Sequence, residues 1–292
     1  MADTPVFTAT VATVSAPNLP TPVQLDMLHQ LLVIPEVGVD VRGGCYMTTP
    51  LCAAIQHGCP VVVKLLLEHG ADPSILSELS GRWQQTAMHE AVAASCTFEA
   101  KRSIILELFA YNADINVRSA AGVTALHMAC KLGYVDVANL LLQLDAKIDV
   151  VTARGQTVLM SAVGNQWEQQ NAVPIVRLLI QYGADVLDVD SNNRTLLHTM
   201  VAWETTKNLP LARFLIENGV QDNKDHGGMT AGDFAISEHP HEGVRFAKRI
   251  QPMFKEHQRR LFAFAMGNRE RGRHASLVIR GAHDWASRQT NK

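Results

Sequence analysis

The 292-residue chain is poor in aromatics, 6% of residues against 47% hydrophobic, so the core it builds is aliphatic. No apolar run approaches the roughly 20 residues that a membrane-spanning helix needs. The five cysteines (Cys45, Cys52, Cys59, Cys96, Cys130) are an odd set without a C-x-x-C. That argues for free thiols in a reducing compartment and against a disulfide framework. The N-terminus, MADTPVFTATVATVSAPNLP, lacks the basic and compact apolar regions of a signal peptide and the arginine of a mitochondrial presequence. Cytosolic or nuclear residence is the expectation. Enzymatic signatures are also missing: there is no G-x-x-x-x-G-K-[ST], no G-x-G-x-x-G, no G-x-S-x-G and no H-E-x-x-H. The chain therefore offers no local pattern that cradles a phosphate, exposes a serine nucleophile or grips zinc. No catalytic residue, cofactor or metal is expected.

What is present is a repeated short unit. GVTALHMACKLGYVDVANLLLQLDAKID, from Gly122 to Asp149, reads as two helices and a turn. Thr124 is a hydroxyl N-cap able to accept from a first-turn amide. Leu126, Ala129 and Cys130 form one apolar face at helical spacing. Gly133 ends that helix, and Val137, Leu140, Leu141 and Leu142 line a second. Neither helix has enough apolar surface to fold alone, so the unit needs neighbours. They recur at Thr49, Thr86, Thr157, Thr195 and Thr230, with threonine spacings of 37, 38, 33, 38 and 35 residues. The second helices read VVVKLLLEHGAD, IILELFAYNAD, VANLLLQLDAK, IVRLLIQYGAD and ARFLIENGVQD.

This pattern resembles the ankyrin repeat, Thr-Pro-Leu-His-x-Ala followed by Leu-Leu-x-x-Gly-Ala-Asp at a period near 33. The resemblance implies an all-α solenoid of helix-turn-helix repeats with hairpin-like finger loops, about five full repeats between degenerate ends. Left-handed backbone is required where each second helix closes, at Gly70, Asn112, Asp145, Gly183 and Gly219. A second such position, two before each threonine, holds Gly122, Gly155, Asn193 and Gly228, with Gln84 as the exception. The expected divisions are a disordered segment over residues 1–20, the array over 21–250 and a basic, partly helical tail over 251–292. Val23 to Ile34 reads as the second helix of a terminal half-repeat. The net charge of −2 hides a +8 excess from Glu242 onward and −10 before it.

The family's function implies a non-catalytic scaffold that binds a protein partner through its concave face and fingers. The partner-facing positions, carried over residue by residue, are Gln56, His57, Arg82, Trp83, Gln85, Arg118, Ala120, Val123, Lys131, Leu132, Arg154, Gln156, Arg194, Ala202 and Trp203. Insertions lengthen the loops around Trp83, Trp167 and Trp203, and Trp285 lies in the tail; each tryptophan is either an interface anchor or a cover over its own loop. His89, His127 and His198 follow the repeat, and in the ankyrin family this histidine bonds the neighbouring finger. Cys45, Cys52 and Cys59, with His57 and His69 nearby, are spaced too widely for paired zinc ligands. The basic tail offers an alternative: an adaptor that engages nucleic acid or an effector complex such as a ubiquitin ligase. Ser276 and Leu277 lack the cysteine that an elongin-binding box places after its leucine. The tail equally suits docking on the acidic array of the same chain. Two modification sites are expected: Ser276 in an Arg-x-Arg-x-x-Ser context, and Asn116 in the Leu, five residues, Asp, apolar, Asn pattern that is hydroxylated in ankyrin repeats. No membrane partner is expected, and a monomer is.

Overall fold

The computed structural model describes residues 5–14, 20–34, 38–43, 48–76, 85–164, 172–202 and 208–269, the last five as backbone only. Among these residues every regular element is a helix, and strand-like pairing in the fingers is confined to isolated bridges, such as Gly43 with Thr48. The chain divides into two compact units, Met1–Asp185 with Val189–Ser191, and Val186–Asp188 with Asn192–Lys292.

The first unit holds five helix pairs: α1 (Pro5–Val14) and α2 (Pro22–Leu32), α3 (Pro50–Gln56) and α4 (Pro60–Glu68), α5 (Ala87–Ala93) and α6 (Phe98–Ala110), α7 (Ala125–Leu132) and α8 (Val135–Gln143), α9 (Val158–Val163) and α10 (Ala172–Gln181). The first helices of successive pairs pack on one another, α1 to α3 to α5 to α7 to α9, and the second helices form a parallel row, α2 to α4 to α6 to α8 to α10. Leu51, Met88, Leu126 and Leu159, each following its capping threonine by two residues, are fully buried between the rows, as are Leu66, Leu108 and Leu141 from the second helices. Each such leucine stabilises the stack by about 2 kcal/mol of apolar transfer.

The second unit holds α11 (Leu196–Ala202), α12 (Leu209–Glu217), α13 (Ala231–Glu238) and α14 (Pro240–Arg269). α13 packs against α11, and α14 packs against α12 and α13. The α13–α14 crossing is tight at Gly243, where any Cβ would collide with the Ala235 carbonyl oxygen. Phe246 and Ile250 of α14 are buried in this unit.

Two expectations are corrected here. Residues 5–14, expected to be disordered, form α1, which packs on α2 and α3. Val6, Phe7, Thr10 and Thr13 are buried at helical spacing, a pattern that the threonine- and alanine-rich composition conceals. The tail boundary at residue 251 falls inside α14, which continues without a break to Arg269. The left-handed positions hold throughout: φ is 84° at Gly70, 61° at Asn112, 62° at Asp145, 95° at Gly183 and 102° at Gly219. Gly122, Gly155, Asn193 and Gly228 are likewise positive, between 59° and 76°. Gln84 lies outside the described residues.

Candidate functional site

The surface that the repeats can offer is built from two parts, the C-terminal ends of the first helices and the fingers between pairs. Each first helix starts at its threonine. Thr49 accepts from the amide of Cys52 at 3.3 Å, Thr157 from Met160 at 3.2 Å and Thr230 from Asp233 at 3.2 Å. Where the fourth position is histidine, the cap is reciprocal. His89 Nδ1 accepts from the Thr86 amide at 3.4 Å and lies 3.0 Å from its hydroxyl, while Nε2–H donates to the Val123 carbonyl of the next finger at 2.9 Å. His198 repeats this with Thr195 and reaches the Met229 carbonyl at 3.1 Å. His127 bonds Thr124 in the same way, while its buried Nε2 makes no hydrogen bond to the next finger. All three rings are buried. Burial keeps His89 neutral by lowering its pKa and pulls His127 down to about 4. These histidines are structural, as their periodicity implies.

The finger tips have an anchor that sequence reasoning overlooks. Ser119, Thr152 and Asp225 stand five residues before Thr124, Thr157 and Thr230. Each donates its backbone N–H to the carbonyl four residues on, Val123, Gln156 and Met229, at 2.9 Å. Each side-chain oxygen then accepts from that same residue's amide, at 3.2, 3.2 and 3.0 Å respectively. A hydroxyl or carboxylate at a fixed distance before each threonine was the available signal, and it is the local side-chain acceptor that turns favour.

Fingers are also tied to each other. The Ala153 amide donates to the Ala121 carbonyl at 2.9 Å, and the His226 amide to Asn192 at 3.0 Å. Asn116 Oδ1 accepts from the Lys147 amide at 2.7 Å, and the Asp40 carboxylate accepts from the Asp72 amide at 3.0 Å. Arg42 and Arg118 each donate Nη2 to the carbonyl of a following finger, Leu76 at 3.0 Å and Val151 at 2.7 Å.

Against this frame the partner-facing positions separate. Several are engaged within the fold. Gln56 donates to the buried Glu90 carboxylate of the next pair at 3.3 Å. Arg118 clamps the next finger. Val123 uses its carbonyl for His89 and Ser119, and Gln156 uses both backbone groups on Thr152. Arg194 lies 3.8 Å from the buried Asp225 carboxylate and 4.5 Å above the Phe234 ring. Others face outward: His57, Ala120, Lys131, Arg154 and Ala202 are exposed, and Gln85 and Leu132 are half-buried. In the first unit, packing of α3, α5, α7 and α9 aligns His57, Ala93 and the Lys131–Leu132 pair at successive helix ends. Arg118, Val123, Arg154 and Gln156 share two joined fingers. Arg82, Trp83, Trp167, Trp203, Ser276 and Trp285 lie outside the described residues.

Burial disfavours the thiolate at each described cysteine. Burial raises the Cys52 thiol to about 11 and raises Cys59, Cys96 and Cys130 as well. Among the described residues no three His, Cys, Asp or Glu side chains come together to hold a metal. The inserted segment before α6 lengthens that helix to 13 residues and buries Lys101, whose ammonium donates to the Val92 carbonyl and sits 4.2 Å over the Tyr134 ring. Burial lowers the Lys101 pKa. Cations of the basic C-terminal region are partly paired in place: Arg260 contacts Glu217 at 3.5 Å and also Glu256, which lies 4.0 Å from Arg213. No described helix is long and apolar enough to cross a membrane.

Comparison with known proteins agrees with this architecture. The model of three ankyrin repeats matches residues 93–190, and a single-repeat model matches 47–78. The B-cell lymphoma 3 protein homolog of Mus musculus is 31% identical over 199 residues, 66% of this chain and 41% of that protein. The putative palmitoyltransferase ZDHHC13 of Danio rerio is 27% identical over 220 residues, 74% of this chain and 32% of that protein. The chain thus matches less than half the length of either relative. The crystal structure of the ankyrin repeat domain of Bcl-3 superposes with a TM-score of 0.63 at 27% identity, covering 86% of this chain and 99% of that one. Capped threonines, finger-bonding histidines, left-handed helix ends and these matches together make the chain a member of the ankyrin repeat family, an all-α solenoid of protein-interaction repeats.

Proposed function

We propose that the chain is a non-catalytic scaffold whose protein partner docks on the first-helix ends and finger tips of the first unit. One observation carries this reading. His57, Lys131 and Arg154 are exposed, and Leu132 half-buried, on backbone that threonine caps, histidine bonds and finger-to-finger bonds already hold rigid. Side chains presented on a fixed frame lose little ordering entropy on binding, which is where a repeat array gains affinity. Buried thiols, neutral buried histidines and the similarity to only 32% of the zebrafish transferase support the absence of catalysis. Cytosolic or nuclear residence and a monomeric state belong to the same proposal.

The test is affinity capture from native cell extract, comparing wild type with a variant in which His57, Lys131, Leu132 and Arg154 are alanine. Circular dichroism first establishes that the variant keeps its helices. Loss of a discrete set of proteins, restored when the four side chains are restored, supports the reading. Identical captured sets would remove it. Hydroxylation of Asn116 is a further proposal, and it meets an obstacle in the 2.7 Å bond from the Lys147 amide to Asn116 Oδ1. An enzyme acting there needs that finger opened, so modification should speed up when repeats are destabilised.

A further inference from the structure

We propose that the distal end of α14 is a peripheral anchor that inserts into anionic membrane surfaces. The ion pairs between α12 and α14 set the geometry. Arg213 faces Glu256 and Glu217 faces Arg260, so the two helices run in the same direction. Glu217 is the last residue of α12, and α14 continues for nine residues past Arg260. At 1.5 Å per residue this is an extension of about 13 Å beyond the helix that supports it.

The extension is apolar where an exposed helical turn is ordinarily polar. Leu261, Phe262 and Phe264 are 45%, 58% and 63% exposed. They belong to six consecutive apolar residues, Leu261 to Met266, which at about 100° per residue leave the helix with no polar side for nearly two turns. Leu261, Phe262 and Phe264 fall within about 160° of the helix circumference, an apolar face broad enough to lie in a lipid interface. The flanks supply the matching charge: along the sequence Lys255, Arg259, Arg260, Arg269, Arg271 and Arg273 outnumber Glu256 and Glu270, with Arg260 already paired to Glu217 and Glu256. Cations on both sides of an apolar, phenylalanine-bearing turn suit anionic headgroups above acyl chains, with the long side chains reaching up to the phosphates. The segment is far too short to span a bilayer, so the association is peripheral and reversible. It is independent of the recognition surface on the first unit.

The experiment uses the full chain and co-sedimentation with vesicles of phosphatidylcholine alone and of phosphatidylcholine with about 30% phosphatidylserine. The expected result is binding to the serine-lipid vesicles and weak or no binding to the neutral ones. Phe262→Asp with Phe264→Asp should lower the partition coefficient at least about tenfold, and Arg259→Gln several-fold, because apolar insertion and surface charge both contribute. These side chains are exposed, so circular dichroism and the melting temperature should not change. A fluorophore on Ala263→Cys should shift to the blue with serine-lipid vesicles if the tip enters lipid. The proposal is overturned by absent sedimentation, by equal binding to neutral vesicles, by an unshifted fluorophore, or by full binding of the phenylalanine variant. It is also overturned if the wild type dimerises and the phenylalanine variant does not, which would make the tip a self-association patch. Single-stranded DNA binding that depends on Arg259 but not on the phenylalanines would assign the charges to nucleic acid instead.

Discussion

Gly70→Ala and Gly122→Ala make a matched pair that separates backbone strain from finger packing. Both glycines have left-handed backbone, φ 84° and 73°. Placing a Cβ there costs about 1 kcal/mol of local strain in either case. Their surroundings differ. A Cβ at Gly70 meets nothing within 4 Å, whereas one at Gly122 would lie 2.8 Å from the Ala153 amide nitrogen and 3.1 Å from the Thr152 carbonyl carbon. Those are backbone atoms of the next finger, held by the Ala153–Ala121 hydrogen bond, and they cannot rotate aside. Relief requires the fingers to separate, which sacrifices that bond and the Arg118–Val151 clamp. Two hydrogen bonds at about 1 kcal/mol each, added to the strain, bring the expected loss to about 3 kcal/mol. With a urea dependence of about 3 kcal/mol per molar, the midpoint should fall by about 0.3 M for Gly70→Ala and about 1 M for Gly122→Ala. Chemical denaturation followed by far-UV circular dichroism measures both. Equal shifts would refute the idea that finger-to-finger contact, and not helix termination alone, sets the stability of the first unit.

Three further outcomes follow from the buried polar groups. His127 has a folded pKa near 4 against an ordinary 6.5, so its contribution to stability is complete above pH 6.5 and is lost as pH falls towards 4, a change of about 3 kcal/mol. His127→Gln, which can still cap Thr124, should flatten that slope in pH-dependent melts. Lys101→Ala removes the donor to the Val92 carbonyl and the aliphatic stem packed beside Tyr134, and should lower stability by about 2 kcal/mol in urea titrations. Arg194→Ala leaves the Asp225 carboxylate buried without its cation and should destabilise the second unit by about 2 kcal/mol while leaving partner capture through the first unit intact.

Much of the frame was legible because one residue type at one spacing has one physical job. Thr49, Thr86, Thr124, Thr157, Thr195 and Thr230 all begin first helices, and Asn112 and Asp145 adopt the left-handed conformation that their alignment with glycines demands. What escaped were features without a period. α1 is hidden because threonine and alanine at its buried positions look like linker composition; only Val6 and Phe7 betray the core. The extent of α14 is hidden because its helical spacing is weak, so a boundary at residue 251 divides one helix. The tip anchors Ser119, Thr152 and Asp225 do recur, but as three different residue types their shared acceptor role shows only in the hydrogen bonds.

The candidate surface was the least legible part, for a reason rooted in the fold. A finger position flanking a capping threonine is close both to solvent and to the next finger, and sequence alone does not say which it serves. Length and charge decide. Arginine is long enough to cross the gap between repeats, and its guanidinium finds carbonyls and carboxylates there, so Arg118 and Arg194 are drawn into inter-finger contacts. Arg154 differs: it reaches its neighbour through its own carbonyl, which accepts from Ser191 Oγ at 2.8 Å, and its side chain remains exposed. In the proposed reading, Arg118 and Arg194 belong to the frame and Arg154 to the recognition surface. If that reading holds, replacing Arg118 should change stability more than binding, and replacing Arg154 should do the reverse. Denaturation and partner-capture measurements on these two single variants would show the crossing, and parallel effects in both assays would remove the distinction between a residue that builds the frame and one that the frame displays.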